Sequence, residues 1–329
     1  MDILFIYRDK HFVNHNFESI FKKNLCKLDF GFLLLSLKTI ANVKLYSLCD
    51  FLNSKKIITY DHVVIDSKII IDYNEKNYFY LLKKKINTKV SIFLSYDRPT
   101  EYKDIFIFEK YLTVISYLLP NLLKNFDNYN IPNNIKDKFY ETHYGLGFIE
   151  IPYDFSERNF LFKKKFNKFT TDIFYSGERT NGKLIRTNII EDIFKEKSIT
   201  NKNIIYYDKK DRNKSILPFN KYIEYTKCSR INLVLAGNAN NITYRLYEVL
   251  FLKSFFLADP HLTNYKISDN FEHIKEIVFY DFSDFLSKVR YYLSDYKKIE
   301  KVAKINSEIF EKIYNPQNHG NFLKKIFFN

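Results

Sequence analysis

The sequence predicts an α/β protein made of two doubly wound domains. Three observations carry this. Along the first half, short β-branched or aromatic runs alternate with longer amphipathic stretches, which implies a parallel sheet covered on both faces. The alternation stops over 153–170, a polar and basic stretch after Pro152, and restarts at Asp172-Ile173-Phe174-Tyr175-Ser176-Gly177. Later, an apolar run over 231–235 ends in Ala236-Gly237-Asn238 and leads through a helix-like segment into a second apolar run over 255–257. The expected division is an N-terminal domain over 1–168, a C-terminal domain over 169–312, and a segment over 313–329 that packs back on the first domain.

Strands are expected over 3–7, 43–47, 62–65, 90–95, 112–116 and 148–151. Between the first two, Leu33, Leu34, Leu37 and Ile40 recur at helical spacing within 30–41. The tract over 125–134 is polar and reads as a loop. In the second half, strands are expected over 204–207, 231–235, 255–257 and 277–280, and helices over 184–195, 219–227, 245–253 and 282–293. The last of these carries an apolar stripe of Phe282, Phe285, Leu286, Val289 and Leu293, with Asp281 or Ser283 placed to cap its start. A further helix over 297–313 is broken by Asn315-Pro316 before a final segment over 322–328.

The chain has 329 residues, of which 46% are hydrophobic, so two domains of ordinary size can each bury a core. No run approaches the roughly 18 to 20 uncharged apolar residues of a membrane span. The start, MDILFIYRDKHF, reads as a first strand rather than a signal peptide. Cys26, Cys49 and Cys228 are scattered and form neither a metal-ligand pattern nor a disulfide framework, so a reducing cytoplasm is the simplest setting. Net charge is +14, with basic clusters at Lys83, Lys84, Lys85 and Lys89, at Lys163, Lys164, Lys165 and Lys168, and at Lys209, Lys210, Arg212 and Lys214. Such a surface suits a polyanion, either DNA or an anionic membrane. An AT-rich coding bias writes the same excess of Lys, Asn, Ile, Phe and Tyr whatever the function.

Doubly wound domains bind ligands at the carboxyl ends of their strands. In NITYRLYEVLFLKSFFLADP, Arg245 and Glu248 are three apart and share a helix face. A cation on the first turn suits a phosphate, and a carboxylate one turn later suits the two hydroxyls of a ribose. The same spacing also fits a plain surface ion pair. The stretch from Tyr175 to Lys183 holds Gly177, Gly182, Arg179 and Lys183, with Arg186 one turn on. A glycine loop with cations suits a diphosphate, and a solvated turn fits equally well. Asp97, in Tyr96-Asp97-Arg98-Pro99 after a strand, is placed either to take a proton from an acceptor hydroxyl or to cap the turn before Pro99. Asp29 reads as a helix cap that is also within reach of a sugar hydroxyl.

These segments together resemble the GT-B glycosyltransferases, with two Rossmann-like domains facing a central cleft. More narrowly they resemble the DNA β-glucosyltransferases of T-even bacteriophages, which move glucose from UDP-glucose to hydroxymethylcytosine in duplex DNA. DIFYSGERTNGKLIR and NITYRLYEVLFLKSFFLADP carry the resemblance most closely, and LLLSLKTIANVKLYSL, YDHVVIDSKIII, KVSIFLSYDRP and LTVISYLLPNLLKN extend it over most of the chain. The resemblance implies that Arg245 holds the diphosphate and Glu248 the ribose. It places Arg179 among the phosphate arginines, with Lys183 at the spacing of the second and Arg186 the nearest arginine. Asp97 matches the general base, Asp29 lies near a donor-sugar contact, and Ala236 and Gly237 lie against the nucleobase.

The chain departs from the family in two places. Arg8-Asp9-Lys10-His11 stands where many GT-B enzymes have a glycine loop, and the strand over 204–207 runs into Asp208-Lys209-Lys210 without the family's glycine. The expected reaction is inverting transfer of a hexose from a nucleoside diphosphate sugar, UDP-glucose first, with a divalent metal compatible but not required. The acceptor stays open between hydroxymethylated DNA and a lipid-linked or lipopolysaccharide glycan. A non-catalytic nucleic-acid-binding module is the reading from a different class.

Overall fold

The computed structural model describes residues 1–7, 31–54, 59–66, 77–94, 112–116, 138–141, 169–179, 184–208, 211, 217–237, 243, 245–313 and 315–328. The chain divides into two compact units, Met1–Asp154 with Ile313–Asn329, and Phe155–Lys312.

Unit one is built on β1 (Asp2–Tyr7), β2 (Asn42–Ser47), β3 (His62–Asp66), β4 (Lys89–Leu94), β5 (Leu112–Ser116) and β6 (Phe139–Glu141). Every pairing is parallel, in the order β2-β1-β3-β4-β5-β6. Ile3, Leu4, Phe5 and Ile6 are all buried, which is why β1 is apolar without alternation: both of its faces are covered. The described helices are α1 (Gly31–Lys38), α2 (Leu48–Asn53) and α3 (Asn77–Lys85). Ser47 starts α2 by accepting the Asp50 amide at 3.0 Å. At the other end of α2, Lys85 Nζ donates to the carbonyls of Phe51, Leu52 and Ser54. One member of the first lysine cluster is therefore occupied in closing a helix.

Unit two is built on β7 (Thr171–Arg179), β8 (Lys202–Asp208), β9 (Ser229–Val234) and β10 (Phe256–Ala258), again parallel, in the order β10-β9-β7-β8. Its helices are α4 (Leu184–Lys195), α5 (Phe219–Cys228), α6 (Arg245–Phe251), α7 (Ile274–Ile277), α8 (Phe282–Leu293) and α9 (Tyr296–Ile313). Asp281 caps α8 as expected, accepting the Asp284 amide at 2.8 Å. The chain steps outward from β7 to β8 and then returns to the other side of β7 for β9. Ligands of such sheets sit outside the carboxyl ends at this reversal, here between β7 and β9.

The last helix, α10 (Pro316–Phe328), belongs to unit one. Asn315 accepts the amides of Gln317 and Asn318 at 2.9 and 3.2 Å, and Pro316 fills the first helical position. The helix packs on α1, where His319 Nδ1 lies 3.0 Å from Ser36 Oγ. A Cβ at Gly320 would meet the Ser36 carbonyl oxygen at 2.7 Å, so glycine sets this approach. At its far end Phe327 stacks on His62, with ring centroids 4.1 Å apart, and accepts Lys89 Nζ at 3.2 Å.

Several sequence expectations are corrected. The run over 277–280 is not a strand: Ile277 ends α7, and Val278 makes a single parallel bridge with Ala258. The helix over 245–253 stops at Phe251, because Lys253 turns left-handed at φ 56° and the amides of Lys253 and Ser254 return to the carbonyls of Leu250 and Val249. The final segment is helical from Pro316 rather than from 322. The expected strand over 148–151 and loop over 125–134 lie outside the described residues.

Candidate functional site

Arg245 opens α6 beside the carboxyl ends of β7 and β9. Leu246, Tyr247, Val249 and Leu250 bury the helix, which leaves Arg245 and Glu248 together on its remaining face. Arg245 Nη2 donates to the carbonyl of Ser176 in β7. The guanidinium carbon lies 4.9 Å from the Tyr175 ring centre and 5.4 Å from that of Tyr222. Nη1 is buried and has no hydrogen-bond partner among the described residues. Burial alone would lower the Arg245 pKa, but Tyr222, Tyr175 and Glu248 outweigh it and the guanidinium stays charged. α6 has only seven residues, so the cation here is a side chain rather than a helix end.

Glu248 accepts the Tyr222 hydroxyl at 2.5 Å. Tyr222 comes from α5. Burial raises its hydroxyl pKa far above the usual tyrosine range, and the Glu248 carboxylate adds to the rise, so Tyr222 remains a donor.

The loop after β9 is held from the next strand. Asp259, 2% exposed, accepts the Ala236 amide at 2.6 Å through one oxygen and the His261 amide at 3.0 Å through the other. Ala236, Thr243, Asp259 and His261 line a cavity of about 10 Å³, room for about one water. Thr243 Oγ1 is buried and unpartnered among the described residues. Gly237 follows Ala236 in the same loop, half-buried.

Other sequence candidates fall elsewhere. Gly177 is not in a loop. It lies inside β7 opposite Tyr206, and the Tyr175 hydroxyl occupies the space that a Cβ would need. Arg179, at the end of β7, pairs with Glu191 at 2.9 Å and lies 5.4 Å from the Tyr206 ring centre. It lines a separate cavity of about 340 Å³ with Phe194, Tyr206, Tyr207, Asp208 and Asp211. Arg186 is buried and donates to the Glu178 carbonyl at 3.2 Å. Asp29, Asp97 and Lys183 lie outside the described residues, as do the basic clusters at 163–168 and at Lys209, Lys210, Arg212 and Lys214.

Residues 186–323 match the family model described as glycosyl transferase-like. No curated protein sequence matches the chain. Among solved structures, the DNA modifying enzyme β-glucosyltransferase aligns over 100% of both chains, with 15% identity and a TM-score of 0.57. T4 phage β-glucosyltransferase in complex with its UDP-glucose substrate aligns over 99% of both chains, with 15% identity and a TM-score of 0.54. HepE from Anabaena, in complex with UDP and glucose, aligns over 99% of this chain and 98% of its own, with 9% identity and a TM-score of 0.51. The fold is that of the GT-B glycosyltransferases. At these identities the likeness is one of fold, and it runs the length of the chain.

Within the GT-B frame, the glycosyl transferase-like segment contains the Arg245, Glu248 and Asp259 cluster. Tyr222, Tyr175, Asp259 and Thr243 were not singled out in the sequence. Asp259 had one signal, its place before Pro260 at the end of an apolar run. Among the described residues no three of His, Cys, Asp and Glu converge as metal ligands, and no helix is long and apolar enough to cross a membrane.

Proposed function

We propose that this chain is a nucleotide-sugar-dependent glycosyltransferase that moves glucose from UDP-glucose to an acceptor hydroxyl, and that the acceptor is a hydroxymethylated base in DNA. One observation carries the donor half. Arg245 is charged, its Nη1 is buried without a partner among the described residues, and it stands one turn before Glu248 at the reversal between β7 and β9. A buried donor lacking an acceptor is costly, and a diphosphate oxygen supplies that acceptor. Glu248, held by Tyr222, takes the ribose hydroxyls, and the Ala236-Gly237 loop lies against the base. The neighbours bound to UDP-glucose, or to UDP and glucose, support the donor class. The DNA acceptor is supported by the full-length likeness to a DNA modifying enzyme and by the +14 charge.

In this scheme the acceptor oxygen attacks C1 of the glucose while Asp97 takes the hydroxyl proton. The bond from C1 to the β-phosphate oxygen breaks, the anomeric centre inverts, and UDP leaves with added negative charge. Arg245, with Lys183, stabilises that charge, whereas Arg179 is held by Glu191 at a separate cavity. Arg186, donating to Glu178, holds the end of β7. Asp29 hydrogen-bonds a glucose hydroxyl. A divalent ion is compatible with the scheme, but no step needs it. A base inside duplex DNA must leave the stack to be reached.

The test is a thermal-shift panel of nucleoside diphosphate sugars on the wild type and on Arg245→Ala and Glu248→Gln, each first shown to be folded. It is followed by transfer of labelled glucose to hydroxymethylated and unmodified DNA. A rise specific to UDP-glucose that both variants lose, with label entering only hydroxymethylated DNA and not with Asp97→Ala, supports the proposal. No rise with any donor overturns the donor assignment. A donor-specific rise without labelled DNA overturns the acceptor assignment.

A further inference from the structure

Unit two has a third cavity, of about 760 Å³, formed by the start of α7 and by facing sides of α8 and α9. Ligand pockets occupy roughly 300 to 1,000 Å³. Lys275, Lys288, Lys298 and Lys301 all line it, although no two are neighbours in sequence. Two carboxylates line it as well, Glu276 and Asp284, and Asp284 offsets one of the lysines, at 2.9 Å from Lys288. Lys275 and Lys301 form no ion pair among the described residues. Lys298 reaches the Tyr291 carbonyl and Ser294 Oγ only at 3.4 and 3.5 Å, and its ammonium lies 3.8 Å from the centre of the Tyr291 ring. That ring is 54% exposed.

A second feature points to a ligand. Tyr292 also lines the cavity, is 2% exposed, and its buried hydroxyl has no hydrogen-bond partner among the described residues. Buried hydroxyls are rarely left unpaired without a reason. The cavity shares no lining residue with the Arg245 site. Tyr292 packs on Phe255, which precedes β10 at its amino end, whereas Ala236 and Arg245 sit by the carboxyl ends of the sheet.

We propose that this cavity binds a nucleotide unit, with its phosphate among Lys275, Lys298 and Lys301 and its base stacked on Tyr291. Lysine ammoniums around an exposed aromatic ring are the chemistry that holds single nucleotides and unpaired strands alike. The ligand is either a free nucleotide or one nucleotide within a strand. The proposal does not depend on the donor-site reading.

The experiment is fluorescence anisotropy with labelled oligothymidylate, with thymidine monophosphate as competitor. It uses the wild type, Lys298→Ala/Lys301→Ala, Tyr291→Ala and Arg245→Ala. The expected result is that Arg245→Ala binds like wild type, Tyr291→Ala binds about tenfold more weakly, and the double variant at least as weakly. The double variant also lowers the slope of log affinity against log salt by about 1.4, because each single-strand phosphate that a lysine neutralises adds about 0.7 to it. Displacement by the monophosphate makes a free nucleotide the ligand, and failure of displacement makes it a strand. No binding, binding unchanged in the lysine and Tyr291 variants, or binding lost in Arg245→Ala alone overturns the proposal.

Discussion

The Tyr222 hydroxyl donates to Glu248 Oε2 at 2.5 Å, joining α5 to α6 beneath the Arg245 guanidinium. This bond fixes the carboxylate assigned to the ribose. Tyr222→Phe removes the donor and keeps the ring. The expected outcome is a donor KM raised about tenfold with kcat nearly unchanged, since a hydrogen bond to a charged group contributes roughly 1.5 to 3 kcal/mol. Steady-state kinetics separates the two constants. An equal fall in kcat and kcat/KM would place the effect in the chemical step and remove Tyr222 from donor binding.

Asp259 joins the loop after β9 to the turn after β10 through two backbone amides. Asp259→Ala leaves the Ala236 amide without that acceptor, at a cost of about 1 to 3 kcal/mol. The variant should melt several degrees lower and bind UDP more weakly, whereas Asp259→Asn, which keeps one acceptor oxygen, should fall between it and wild type. Melting curves with and without UDP check both. An Asp259→Ala protein with wild-type UDP affinity would disconnect this loop from the nucleotide.

Lys253 sits where a helix normally ends in glycine. The left-handed conformation costs a non-glycine residue roughly 1 to 2 kcal/mol. Its exposed ion pair with Glu311, at 2.9 Å, returns little. Lys253→Gly is expected to stabilise unit two by about 1 kcal/mol, read as a higher urea midpoint at unchanged slope. A lower midpoint would mean that the ion pair outweighs the backbone.

The parts of the fold legible in the sequence were those written in local periodicity. β1 read as a strand because residues buried on both faces are continuously apolar, β9 from Ile231, Leu233, Val234 and Leu235 despite the buried Asn232 among them, and α8 read as a helix from its single stripe. In the run over 277–280, Ile277, Val278 and Phe279 are equally apolar and buried, and pattern alone could not tell a bridge from a strand. α3 was missed because it shows little of an apolar stripe: among its residues 80–85 only Leu82 is buried. At the site, Arg245 and Glu248 were legible because they lie one turn apart on one helix. Tyr222 was not, because it arrives from another helix. Gly177 was misread as a loop residue, since the tyrosine two positions earlier, which excludes a Cβ there, is visible only in three dimensions. The cavity lysines are spread from 275 to 301 and form no cluster until α7, α8 and α9 pack.

His62 is 2% exposed, lies 2.8 Å from Ser91 Oγ and stacks on Phe327 of α10. Burial, and then the charge of Lys89, push its pKa down to about 3. An unfolded histidine titrates near 6.5. Between those values the unfolded chain binds a proton that the folded chain refuses, so stability is intact above pH 6.5 and falls as pH drops toward 3. The slope is about 1.4 kcal/mol per pH unit, or about 2 kcal/mol by pH 5. His62→Gln keeps a polar partner for Ser91 and does not titrate. It should be less stable than wild type at pH 7.5 and should lose less between pH 7.5 and pH 5. Urea midpoints at pH 7.5, 6.0 and 5.0 for both proteins measure the difference. Parallel losses would show that the acid sensitivity arises elsewhere and that the contact of α10 with the sheet does not depend on the charge of His62.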